Sequence, residues 1–117
     1  MHKLKELKIW NRSIDLAVEI YKATEDFPRE EVYGLTSQIR RSAVSIPSNI
    51  SEGAGRNTNN EFCHFLGIAN GSSYELQSQL IISQRLELIS EETVKPLLNE
   101  IDELQKMNYG LQISLSK

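Results

Sequence analysis

A proline set in the middle of a doubly striped helical segment is the feature that most limits what this chain can become. Between Gln38 and Arg56 the sequence reads QIRRSAVSIPSNISEGAGR, with Pro47 near its centre. Leu35, Ile39, Ala43, Ile46, Ile50 and Ala54 recur every three or four residues, the spacing of one helix face. Gln38, Ser42, Ser45, Asn49, Glu52 and Arg56 recur at the same spacing, about a quarter turn or slightly more away. A surface helix ordinarily carries one apolar stripe and a charged opposite side. Here the second stripe is made of amides, hydroxyls and one Glu/Arg pair, without a lysine. Such short polar groups suit hydrogen bonding to something packed close by. Pro47 removes one backbone donor and sets its ring against the Ala43 carbonyl, which predicts a kink or local break. Ser42, Ser45 and Ser48 offer hydroxyls to the freed groups.

The segments on either side are helical as well. Leu7, Trp10, Ile14, Val18 and Tyr21 form one stripe of a first helix from about Leu7 to Thr24, while Ile9, Leu16 and Ile20 lie largely off it. That arc is wider than one core needs, which suggests a second buried contact. Phe27-Pro28 breaks the pattern and Pro28 suits the opening of the next helix. The second helix then runs from about Arg29 to Glu52, with Gly53 and Gly55 closing it. Gly53-Ala54-Gly55 follows a helix and not a strand, so it reads as a C-cap and turn, not a phosphate cradle.

Thr58 or Asn59 caps a third helix, whose stripe is Phe62, Leu66, Ala69, Ser73, Leu76 and Leu80, carried on towards Leu86. Ser72, Glu75 and Gln79 make a shorter polar line that can meet the second helix's polar stripe, pairing Glu75 with Arg40, Arg41 or Arg56. Gly67 and Gly71 share a face, which lets another backbone approach closely. Ser90 with Glu91 and Glu92 opens a fourth helix. Its seam is Val94, Leu97, Ile101, Leu104, Asn108, Leu111 and Leu115, interrupted at Asn108, where Met107 or Leu104 covers the gap. Pro96 places the first regular hydrogen bond at Thr93. No stretch shows sustained period-two alternation. The expectation is one domain over residues 1–117: an all-α, antiparallel, up-down-up-down bundle with helices near 7–24, 29–54, 59–89 and 91–115.

Composition narrows the function classes. With 117 residues and a formal net charge of −3, the chain lacks the basic excess of a dedicated polyanion binder. One cysteine, Cys63, makes an internal disulfide impossible and fits a reducing, cytoplasmic setting. No run approaches the ~20 apolar residues of a membrane span. Cys63 and His64 are neighbours, and on a helix neighbours diverge by about 100°, which suits neither a metal nor a dyad. Glu61-Phe62-Cys63-His64 matches a di-iron ligand motif once, without the required second copy. No cofactor and no enzymatic activity are expected. The candidate binding or interface residues are Gln38, Arg40, Arg41, Ser45, Asn49, Glu52, Arg56, Ser72, Glu75 and Gln79.

Nearly the whole chain resembles the four-helix-bundle proteins named after open reading frames in 23S rRNA intervening sequences. The resemblance rests on Trp10, Tyr21, Phe27-Pro28, YGLTSQIRR at residues 33–41, SIPSNI at 45–50, Glu52-Gly53, Gly55-Arg56, Gly71-Ser72, and Glu75-Leu76 with Gln79-Leu80. Ser51 departs from a common Ala and Asn70 from a common basic residue, the latter weakening a basic patch on the third helix. The resemblance implies a bacterial-type bundle that assembles into a homopentameric ring, without established enzymatic activity. The related accessory variability proteins of diversity-generating retroelements work with a reverse transcriptase and RNA, but are strongly basic where this chain is acidic. Two readings follow: a non-catalytic oligomeric binding module with weak RNA or ribosome contact through its arginines, and a structural adaptor that binds a protein partner.

Overall fold

The chain stops and restarts its helices through local chemistry that can be followed residue by residue. The computed structural model describes residues 2–117. Helix α1 spans Lys8–Thr24 after a single 3-10 turn at Leu4–Glu6. Asn11 turns back to donate its amide to the carbonyls of Lys5 and Leu7, both at 3.0 Å, and so ties the entry to the helix. Helix α2 spans Leu35–Ala54, six residues later than the expected start. Pro28 opens only one 3-10 turn, Arg29–Glu31, and Gly34, with φ −114° and ψ −110°, separates it from α2. Of the expected kink or local break at Pro47, the break does not occur: α2 is continuous through it. Among the described residues no serine hydroxyl takes up the Ala43 carbonyl that Pro47 leaves free. The hydroxyls of Ser45 and Ser51 bond elsewhere.

Helix α3 spans Asn59–Arg85 and is capped by Thr58, whose hydroxyl accepts from the Glu61 N–H at 3.1 Å. It ends four residues before the expected boundary, because Glu87 takes a left-handed conformation with φ 62°. The Leu88 N–H then donates to Ser83 O and the Glu87 N–H to Gln84 O, both at 2.9 Å. This pair of bonds is a Schellman stop, and it leaves Leu86 exposed. Helix α4 spans Glu91–Leu115, with the Ser90 hydroxyl accepting from the Thr93 N–H at 3.1 Å. Regular bonding begins at Ser90, whose carbonyl accepts from the Val94 N–H, so Pro96 sits inside an established helix and does not delay it.

Each helix packs on its two neighbours, α2 and α3 most extensively, in a bundle 45 × 23 × 20 Å. The α2/α3 approach is closest at Gly53, where an added Cβ would lie 2.8 Å from the Phe65 Cβ and 2.9 Å from Phe62 Cδ1. At Gly67 and Gly71, expected to admit another backbone, an added Cβ would meet nothing from the rest of this chain within 4 Å. The α3 stripe from Phe62 to Leu80 is buried as expected, and so is the α4 seam from Val94 to Asn108. Asn108 is satisfied in the core: its amide donates to Leu66 O at 2.9 Å, and its carbonyl oxygen accepts from Gln112 at 2.6 Å. Arg12 clamps α1 to α4 through a two-pronged bond to Glu100, which raises the arginine's pKa further above its ordinary value.

Helix α1 inverts the expected arrangement. Its core side is Ile9, Ser13, Leu16, Ala17, Ile20 and Thr24, whereas Ile14, Val18 and Tyr21 face outward. Ser13 and Thr24 tolerate burial because each hydroxyl donates to a carbonyl of its own helix, Trp10 O and Ile20 O, at 2.8 Å.

Candidate functional site

The close α2/α3 contact has an open continuation on the outside, and most of the candidate residues meet there. Gln38, Arg41 and Ser45 from α2 and Ser72, Glu75 and Gln79 from α3 line one polar groove of about 500 Å³, together with Ser42. Helical register explains the convergence, since residues three and four apart share a face. Ser45 and Ser72 join the two helices through a hydroxyl pair at 2.8 Å. Asn49 supports Ser45 from one turn below, its amide donating to both the backbone oxygen and the hydroxyl of Ser45 at 2.9 Å. The polar stripe is therefore graded. Ser42 and Ser72 are buried, Ser45, Asn49 and Gln79 are half-buried, and Gln38, Glu52, Arg56 and Glu75 face solvent.

The arginines divide. Arg41 borders the groove, and among the described residues it forms no ion pair. Arg40 points the other way: its Nε donates to Thr24 Oγ1 at 2.9 Å and its Nη2 to Tyr21 O at 3.1 Å, with the guanidinium 4.5 Å from the Tyr21 ring centroid. It therefore braces the end of α1. Arg56 lies at the far end of α2, 3.7 Å from Glu52 and 4.8 Å from the centre of the Phe65 ring. The expected pairing of Glu75 with an arginine does not form among the described residues.

Chemically the groove offers uncommitted hydrogen bonding. Gln79 Oε1 is buried without a partner, and Ser45 is bonded to a hydroxyl and an amide, neither of which is a base able to take its proton. Cys63 and His64 diverge as helix neighbours must, with Cys63 turned to Gln112 O at 3.8 Å and His64 exposed. No group of three or more His, Cys, Asp or Glu placed to hold a metal occurs among the described residues. None of the described helices is long and apolar enough to cross a membrane.

Tyr33 and Ser37 also line the groove, Tyr33 being 98% exposed, and neither was expected there. Ser37 stands four residues before Arg41, so extending the register one turn back finds it; Tyr33 lies before the helix and carries no periodic signal. A second concavity, of about 610 Å³, runs between α1 and α2 and is apolar. Its walls include Trp10, Ile14, Val18, Tyr21, Val44 and Pro47, and so hold the outward stripe of α1.

Comparison with known proteins agrees with this architecture. The chain is similar to a crystallised protein of unknown function from the S23 ribosomal protein family of Bacteroides thetaiotaomicron, with 26% identity and a TM-score of 0.80 over 89% of this chain and 97% of that one. None of the curated proteins matches it. The sequence model of the family described as 23S rRNA-intervening sequence protein matches residues 5–110, which carry all four helices almost to the end of α4. The chain belongs to the 23S rRNA-intervening sequence protein family.

Proposed function

We propose that the chain is one subunit of a closed homo-oligomer, five-membered by family resemblance, that works as a non-catalytic cytoplasmic binding module with weak contact to RNA or the ribosome. One observation carries the assembly: a single chain presents two separate, unpartnered apolar surfaces. The first is the α1/α2 groove, where Val18 is 48% exposed and Tyr21 45%. The second is the outer side of α3, where Ile68, Tyr74 and Ile82 stand exposed beside the open backbone of Gly67 and Gly71. Contiguous exposed apolar patches rimmed by polar residues mark interaction sites. Two different surfaces pairing head to tail generate a ring when the rotation closes.

Repetition around the axis would let several copies of Arg41 and Arg56 meet phosphate together, so that avidity raises a weak local attraction. The acidic excess opposes this at long range. The expected result is weak RNA binding that falls steeply with salt and shows little base preference. Fluorescence anisotropy across a salt series, with Arg41→Glu and Arg56→Glu beside wild type, tests it; no binding even at low salt rejects the RNA role. A protein-adaptor reading is favoured by one further feature. The α1/α4 groove of about 560 Å³ lies over Leu16 and Leu97. Glu19 is paired with Lys22 and Glu100 with Arg12, which leaves Asp15 and Glu92 as carboxylates without an ion pair among the described residues, and these suit a basic partner.

A further inference from the structure

The start of α2 differs in its chemistry from the starts of α3 and α4. Thr58 and Ser90 fill the cap positions of the latter two. At α2 the cap position is Gly34, which has no side chain to offer, and the first bond along the helix is from the Gln38 N–H to Gly34 O. Among the described residues the N–H groups of Leu35, Thr36 and Ser37 have no acceptor, and a helix's exposed N–H groups and dipole favour an anion there.

A second observation points to a ligand. Thr36 is only 6% exposed, yet its hydroxyl has no hydrogen-bond partner. Burying a hydroxyl unpaired is costly, and native structures usually explain such a group by an ion or a water. Thr36 lines a cavity of about 380 Å³ whose other walls are Tyr21, Val32, Ser37, Arg40 and Arg41. Arg40 is held at this wall by its bonds to Thr24 and Tyr21, so its charge is fixed in place. Arg41 is exposed and unpaired among the described residues.

We propose that this cavity binds a phosphate group. Two guanidinium groups and a hydroxyl wall the cavity, beside the uncapped start of α2, and they match the charge and the several oxygens of a phosphate better than the two oxygens of a carboxylate. The site lies within one chain, so it stands or falls independently of the ring. A carboxylate stands at the cap of α2: a Cβ on Gly34 would lie 3.3 Å from Glu31 Oε1. Glu31 therefore competes with the anion.

The test follows backbone amide resonances of the full chain during titration with inorganic phosphate, at constant ionic strength set by chloride. Saturable shifts at Leu35, Thr36 and Ser37 are expected. Arg41→Gln should weaken binding about tenfold, the worth of one hydrogen bond to a charged group, and Glu31→Gln should tighten it. Thr36→Val should weaken binding by a similar factor while leaving the phosphate-free unfolding midpoint unchanged or raised. Absent or non-saturating shifts would overturn the proposal. So would a lowered phosphate-free midpoint for Thr36→Val, which would give the hydroxyl a structural partner. A second arm compares one RNA oligomer with and without a 5′-phosphate. Preference for the phosphorylated form identifies a phosphomonoester end, and equal, Arg41-dependent binding identifies the phosphodiester backbone. Binding of inorganic phosphate alone identifies the free ion.

Discussion

Helix α2 borders two concavities of opposite character, and the contrast between them separates what the chain satisfies internally from what it leaves open. On the α3 side the groove is polar, and its serines are tied together, Ser45 to Ser72 and Asn49 to Ser45, while Gln79 Oε1 stays without a partner. On the α1 side the groove is apolar, and Val18, Tyr21 and Val44 remain substantially exposed. Short polar side chains find acceptors on a neighbouring helix or on their own backbone, so a polar stripe is compatible with a finished monomer. Apolar side chains are satisfied only by being covered. The polar stripe, which draws the eye in the sequence, mostly serves the α2/α3 seam. The apolar face of α1 is the one that lacks a neighbour.

The largest expected effect comes from the closest point of the seam. Gly53→Ala places a methyl group against Phe62 and Phe65 and should destabilise the fold by about 1–3 kcal/mol in chemical unfolding, as overpacked cores do. In the unassembled chain the same change at Gly67 should have the opposite sign. Nothing in the chain lies near it, and alanine is favoured over glycine within a helix by about 1 kcal/mol. If both variants lose stability, the α3 outer side is packed in a way one chain does not show.

A smaller effect separates the polar seam from bare surface. Asn49→Leu removes the amide that bonds Ser45 twice and should cost about 1 kcal/mol. A change within about 0.5 kcal/mol, the ordinary surface range, would make Asn49 a bystander and weaken the contrast between the two grooves.

Much of this architecture is legible in the sequence, and the misses have physical reasons. The α3 stripe from Phe62 to Leu80 and the α4 seam from Val94 to Leu104 follow helical periodicity; α3 also carries Ile68, Tyr74 and Ile82 on its outer side, but its longest apolar stripe is the buried one. Helix α1 has two apolar sides, and periodicity alone does not say which turns inward. Ile9, Leu16 and Ile20 go in because Ser13 and Thr24 between them are small and self-bonded, which admits a close neighbour. The early end of α3 rests on Glu87 adopting a backbone region more typical of glycine, a choice that pattern reading does not anticipate. In the groove, Gln38, Ser42 and Ser45 of the α2 stripe stand beside Ser72, Glu75 and Gln79 of the α3 line, as helical register allows, while Asn49, Glu52 and Arg56 of the same stripe lie outside its walls. Periodicity does not separate Arg40 from Arg41: adjacent helix residues diverge by about 100°, so Arg40 bonds to Thr24 and Tyr21 of α1, while Arg41 lines both the α2/α3 groove and the cavity it shares with Arg40. Thr36 carries no sequence signal, because a hydroxyl without a partner is visible only once its surroundings are known.

Light scattering on a size-exclusion peak at micromolar concentration, comparing wild type with Val18→Glu, tests the uncovered apolar groove most directly. Val18 is exposed in the single chain, so the substitution should leave the helical circular dichroism spectrum unchanged. The wild type is expected to run at about five chain masses, as the family resemblance implies, and the variant at one, since a buried unpaired carboxylate opposes association. A wild type that runs as a single chain would contradict the ring, and so would a variant that assembles as well as the wild type.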